Sequence, residues 1–172
     1  MTGDDGWRTR LVLGGARSGK SRHAQVLAET VAGPRVFIAT AQAFDAEMAE
    51  RIAHHRADRG PEWRTVEAPV ALPEAIATAG GAMVLVDCLT LWTSNLLLSD
   101  ADVEAATDAL VGALAGAGGR IVLVSNEVGW GIVPDNALAR RFRDVAGRVN
   151  QRVAATVDRV DLVVAGLAMR LK

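Results

Sequence analysis

The sequence has little of what would mark a protein by composition, and each shortage removes a class of function. Cys88 is its single cysteine in 172 residues, so the chain can form neither an intrachain disulfide nor a thiolate cluster for zinc or iron–sulfur chemistry. Aromatic residues are only 4% of the chain and the formal net charge is −1. A basic, aromatic-studded stretch on which nucleic acid would stack is therefore missing, which disfavours a polyanion-binding role. No run approaches the roughly 20 apolar residues of a membrane span. Met1 to Arg10 is polar, and the apolar run behind it is too short for a signal peptide, so the expected compartment is the cytoplasm. Internal repeats, linkers and low-complexity tracts are missing too. With 50% hydrophobic residues, the chain is long enough for one buried core and short for two, which predicts one domain over 1–172.

What is present begins at Leu11-Val12-Leu13, an apolar run followed by Gly14, Gly15, Ala16, Arg17, Ser18, Gly19, Lys20 and Ser21. This is the pattern G-x-x-x-x-G-K-[ST] of a phosphate-binding loop. Its glycines let backbone N–H groups converge on an anion, Lys20 brings a positive charge to the β- and γ-phosphates, and Ser21 has the hydroxyl that such loops place on Mg²⁺. From Ser21 to Ala32, Ala24, Leu27, Ala28 and Val31 fall on one helical face. Strand, loop and helix N-terminus thus come in the right order for the helix dipole to face the phosphates.

Arg35 to Thr40 reads as a second strand, making a βαβ unit and hence a parallel sheet, with Ala39, Thr40 and Ala41 on the same edge as the phosphate loop. Asp45 to Arg56 reads as a helix with Phe44, Met48, Ile52 and His55 along one face and His54 on the polar one. Trp63 to Ala68 reads as a short strand ending near Glu67, and Leu72 to Ala79 as a weak helix. Ala82 to Asp87 is an apolar run ending in an acid, the form expected of the strand that carries the magnesium-side carboxylate. Leu89 to Leu98 reads as helix or loop over the site, and Asp102 to Ala115 as a helix. Ile121 to Ser125 is another buried strand, followed by Asn126-Glu127 where open α/β sheets bind ligands. These two residues read either as a strand-end turn or as a ligand contact. Asp135 to Val157 is the longest helical pattern, with Leu138, Phe142, Val145, Val149 and Val153 expected inside. Asp161 to Gly166 is a last strand, with Met169 to Lys172 as a hairpin arm or edge.

A triphosphate held by the loop, with Mg²⁺ between Ser21 and Asp87, suits phosphoryl or nucleotidyl transfer. A neutral imidazole is available near pH 7 and is a competent nucleophile at phosphorus. On spacing alone, however, a solvated helix histidine is more often inert than catalytic, so both readings of His54 stay open. His23, behind the loop, reads as structural.

Several segments together resemble the bifunctional adenosylcobinamide kinase and adenosylcobinamide-phosphate guanylyltransferase family of cobalamin biosynthesis. They are GGARSGKSRHA (14–24), IAT (38–40), DAEMAERIAHHR (45–56), WRTVEAP (63–69), DCLTLWTSNLL (87–97) and SNEVGWGIVPDNALARRFRDVAGRVNQRVA (125–154). The resemblance implies a RecA-like P-loop α/β fold, a mostly parallel central sheet with helices on both faces, assembled as a homotrimer. It implies phosphorylation of adenosylcobinamide with ATP or GTP, then transfer of GMP from GTP to adenosylcobinamide phosphate through a guanylyl-histidine on His54, with Lys20 serving catalysis. It also implies nucleotide contacts from Gly14 to Ser21, from Ala39, Thr40 and Ala41, from His55, Arg56, Ala57 and Asp58, and from Glu67 and Asp87. The alternatives are a P-loop small-molecule kinase without nucleotidyl transfer, and a RecA-like nucleotide-dependent binding module.

Overall fold

Strand β1 (Thr9–Gly14) leads through the glycine loop into helix α1 (Lys20–Glu29), which returns the chain to strand β2 (Arg35–Ala39). The computed structural model describes residues 6–42 and 60–172. The helix expected over 45–56 lies outside them. Beyond it come β3 (Trp63–Glu67), α2 (Leu72–Ala77), β4 (Met83–Asp87), α3 (Leu89–Leu98), α4 (Val103–Ala115), β5 (Ile121–Asn126), α5 (Ala137–Thr156), β6 (Arg159–Val164) and β7 (Leu167–Arg170).

The strands form one seven-stranded sheet in the order β3-β2-β4-β5-β1-β6-β7. Every pairing is parallel except that of β6 with β7. The inner strands read as unbroken apolar runs because both faces of the sheet are covered. On one face Leu11, Ile38, Val84, Val86, Ile121 and Leu123 pack with Leu72, Leu89, Trp92, Leu96, Leu110, Leu114, Val149 and Val153, so α2 to α5 share that side. On the other face Val12, Phe37, Leu85, Val122 and Val124 meet Ala24 and Ala28 of α1. Burying each large aliphatic side chain contributes about 1.5–3 kcal/mol. That far exceeds the few tenths per residue that separate ordinary helix propensities, so packing holds these helices.

Strand alternation then fixes which face each strand end presents. Gly14 follows the parity of Val12, Ala39 that of Phe37, Asp87 that of Leu85 and Asn126 that of Val124, so all four stand on the α1 face at the carboxyl edge. Thr40 and Ser125 take the opposite parity.

Three sequence expectations are corrected. Helix α1 stops at Glu29 with Thr30 as its cap, short of the expected Ala32; the Thr30 hydroxyl donates to the Leu27 carbonyl at 2.7 Å. Ala165 and Gly166 end no strand but form the tight turn of the β6–β7 hairpin, with φ of 52° and 79°, a geometry of positive φ at successive residues. Leu138 is 57% exposed rather than buried; it lines an open groove with Leu97 and Leu98 of α3.

Candidate functional site

The phosphate loop is shaped by close backbone approach. A Cβ at Gly14 would strike the Ser18 hydroxyl and lie 2.7 Å from the Val163 carbonyl on β6, so this position takes no side chain. Arg17 and Gly19 both have left-handed backbone (φ 54° and 95°), and such alternation turns successive N–H groups inward as an anion nest. Gly19 precedes α1 with no side-chain cap, which leaves the helix's first N–H groups to a ligand. Lys20 is buried and its ammonium donates to the Gly15 carbonyl at 3.0 Å, held over the loop it would share with phosphate oxygens. The Ser18 hydroxyl is buried and, among the described residues, has no hydrogen-bond partner. An orphaned donor in this concavity suits a phosphate oxygen.

The loop is also braced from behind. The Gly166 N–H donates to the Ser18 carbonyl at 2.8 Å, and the Glu127 N–H to the Gly14 carbonyl at 3.1 Å. His23, on α1, meets Asp161 of β6 at 3.0 Å, and Arg10 reaches the same oxygen at 3.4 Å. Burial works to raise the Asp161 carboxyl, but the His23 hydrogen bond and the charges of Arg10, His23 and Arg170 outweigh it and hold the group below the usual carboxylate range. His23 is therefore the structural residue its position suggested.

Asp87 ends β4 on the α1 face, one strand beyond β5, in register with Val124. The arrangement fits a magnesium ion. Among the described residues no cluster of three or more His, Cys, Asp or Glu is present, and Mg²⁺ asks for none, because it takes one or two protein oxygens and fills its octahedron with phosphate oxygens and water.

The end of β2 is stitched to β4 and α3. Thr40 is fully buried; its hydroxyl donates to the Cys88 carbonyl (2.7 Å) and accepts from the Cys88 N–H (2.8 Å), while Asn95 donates to the Thr40 and Pro69 carbonyls at 2.8 and 2.9 Å. What Ala39 to Ala41 can offer a ligand is thus chiefly backbone. Glu67 is exposed at the end of β3, in register with Ala39. It stands four strands from Gly14, or about 19 Å at the usual strand spacing, so a ligand touching both must lie along the edge. His54, His55, Arg56, Ala57 and Asp58 lie outside the described residues.

Segment 89–98, expected as helix or loop over the site, is a helix whose Leu89, Trp92 and Leu96 are sunk into the core. From it Thr90 reaches the end of β5, where Ser125 and Asn150 complete a buried polar cluster. Sequence reading passed over Thr90 and Asn150. Asn150 stands beside Val149 in the buried stripe of α5, and an amide in that position is the available signal. Glu127 spends one carboxylate oxygen on the Gly129 N–H at 3.0 Å, which gives the turn reading of that residue a concrete bond.

Comparison with known proteins agrees with this geometry. Residues 10–171 match the family model described as cobinamide kinase / cobinamide phosphate guanyltransferase. The chain is 50% identical to the bifunctional adenosylcobalamin biosynthesis protein CobP of Pseudomonas aeruginosa, covering 94% of this chain and 96% of that one. It is 46% identical to the bifunctional adenosylcobalamin biosynthesis protein CobU of Salmonella typhimurium and 44% to that of Escherichia coli, each over 94% of this chain and 98% of the relative. Among solved structures, an ATPase of a bacterial type III secretion system superposes with a TM-score of 0.54 at 11% identity, covering 95% of this chain and 56% of that one. The assembled EscN ATPase does so with the same TM-score at 10% identity, over 92% and 43%. At these identities the likeness shows the fold alone: a RecA-like P-loop α/β architecture, of which this chain spans about half the length of those ATPases.

Proposed function

The chain belongs to the cobinamide kinase / cobinamide phosphate guanyltransferase family, and from that premise we propose that one catalytic domain carries out both reactions at the carboxyl edge of its sheet. In the first, the hydroxyl oxygen of adenosylcobinamide attacks the γ-phosphorus of ATP or GTP. The bond to the β–γ bridging oxygen breaks, the nucleoside diphosphate leaves and the hydroxyl proton passes to solvent. In the second, an imidazole nitrogen of His54 attacks the α-phosphorus of GTP and expels pyrophosphate. A phosphate oxygen of adenosylcobinamide phosphate then takes the GMP from the histidine, giving adenosyl-GDP-cobinamide. Dividing the transfer in two lets one imidazole act first as nucleophile and then as leaving group.

The observation that carries this reading is the gathering of the glycine loop, Lys20 and Asp87 on one face of one edge, in a chain matched along nearly its whole length by bifunctional relatives. Lys20 would neutralise charge on the β- and γ-phosphates, and Ser21 with Asp87 would hold Mg²⁺, which when bound would supply Lewis-acid stabilisation of the phosphoryl oxygens. Glu67, Ala39 to Ala41 and His55 to Asp58 are assigned to the nucleoside end, a placement supported by the span from Gly14 to Glu67 along the edge. We further propose a cytoplasmic homotrimer that takes no nucleic acid. In favour of assembly, Leu167 and Met169 on β7 are 76% and 57% exposed, an apolar fringe on an edge strand; light scattering reporting a monomer would refute it.

Supplying cobinamide, ATP and GTP together tests the pair of reactions. Both nucleoside diphosphate and pyrophosphate should appear; nucleoside diphosphate alone would reduce the protein to a simple kinase.

A further inference from the structure

Asn126 closes β5 beside the phosphate loop, its Cα in register with that of Gly14, and the reading above gives it no task. Its backbone is held from both sides by a closed hydrogen-bond circuit. The Asn126 N–H donates to the Thr90 hydroxyl oxygen at 2.7 Å. The Ser125 hydroxyl donates to the Asn150 side-chain oxygen at 2.7 Å, so the 3.3 Å contact between the Thr90 and Ser125 hydroxyls must use the Thr90 proton. The Asn150 amide closes the ring by donating to the Asn126 carbonyl at 3.2 Å. Thr90, Ser125 and Asn150 are 8%, 2% and 6% exposed.

The circuit satisfies the Asn126 peptide N–H and carbonyl at the strand end, groups that apolar residues at 90 and 150 would leave unpaired, each at the cost of its desolvation. This network gathers α3, β5 and α5 onto one peptide unit, and its evident product is a fixed Asn126. The Asn126 carboxamide itself makes no hydrogen bond among the described residues. By alternation it stands on the α1 face, and β5 lies between β4, which ends in Asp87, and β1, which opens the loop. That places it between the proposed metal carboxylate and the loop, on the side where the γ-phosphoryl group of a nucleotide held by the loop would lie.

We propose that Asn126 is a catalytic residue of the kinase half-reaction: its side-chain amide donates to a γ-phosphoryl oxygen during transfer, and Thr90, Ser125 and Asn150 are the residues that position it. This rests on the bifunctional reading. The α-phosphorus, attacked in guanylyl transfer, lies farther along the triphosphate, so the two reactions must depend on Asn126 unequally.

The test is to measure both half-reactions in Asn126→Ala and in the near-isosteric Asn126→Asp. Kinase kcat should fall about 100-fold or more, the usual loss for one transition-state donor, with nucleotide KM and labelling of the enzyme by α-labelled GTP within a few-fold of wild type. Ser125→Ala, which opens the circuit, should lower kinase kcat by a smaller factor at unchanged KM. Retained kinase activity in both Asn126 variants, or a parallel loss of both reactions, would overturn the assignment. Wild-type protein without any kinase activity would instead sink the bifunctional reading on which it rests.

Discussion

Cys88 follows the proposed metal carboxylate directly, yet its chemistry is closed off. It is 5% exposed, and burial first, then the neighbouring Asp87 charge, pushes its thiol from an ordinary value of 9.0 up to about 11. The thiolate is the reactive form, and at pH 8 only about one thiol in a thousand would be ionised. Native protein at pH 8 should therefore resist iodoacetamide while urea-unfolded protein is alkylated quickly, as read by intact mass; equally rapid native labelling would contradict the burial. The linkage has a definite sign. A folded value above the unfolded one stabilises fully below about pH 9, and that contribution is lost as pH rises toward 11. At this scale the sequence was legible where a residue's task is local. The places of Gly14, Lys20 and Asp87 at the carboxyl edge could be read from their immediate neighbours in the chain. The bracing of Asn126 could not, because the groups that fix it come from 36 and 24 residues away.

Among the elements, α4 shows how a few side chains set a boundary. Asp102 accepts from the Glu104 and Ala105 N–H groups, both at 3.0 Å, satisfying donors that a helix start leaves unpaired. Asp102→Ala should lower stability by about 1 kcal/mol, visible as a lower urea midpoint with an unchanged slope; an unshifted midpoint would show that the cap contributes nothing. Apolar periodicity disclosed which face of α1 and α5 turns inward, and the inner strands of the sheet were readable as apolar runs. It did not disclose how closely the partner surface approaches, so Leu138 was expected inside although it lines an open groove beside α3 and stays 57% exposed. Nor did it separate the Ala165-Gly166 turn from the strand before it, since small residues suit either until a returning strand is known.

For the whole molecule, the topology explains why one edge can serve two transfers. Every strand from β3 to β6 points the same way, so Glu67, Ala39, Asp87, Asn126 and Gly14 all emerge on one rim, and a crevice outside the carboxyl ends of such strands is where α/β sheets bind ligands. The rim from Gly14 to Glu67 runs about 19 Å, long enough to hold a triphosphate at one end and a nucleoside at the other. The central claim is that the α-phosphorus of a nucleotide lying there is captured by His54. The direct measurement is to incubate wild-type protein and His54→Ala with α-labelled GTP and Mg²⁺, then map the label by peptide mass spectrometry. The account predicts an acid-labile GMP adduct on His54 in the wild type and none in the variant; label that persists in His54→Ala, or a wild type that is never labelled, would contradict it.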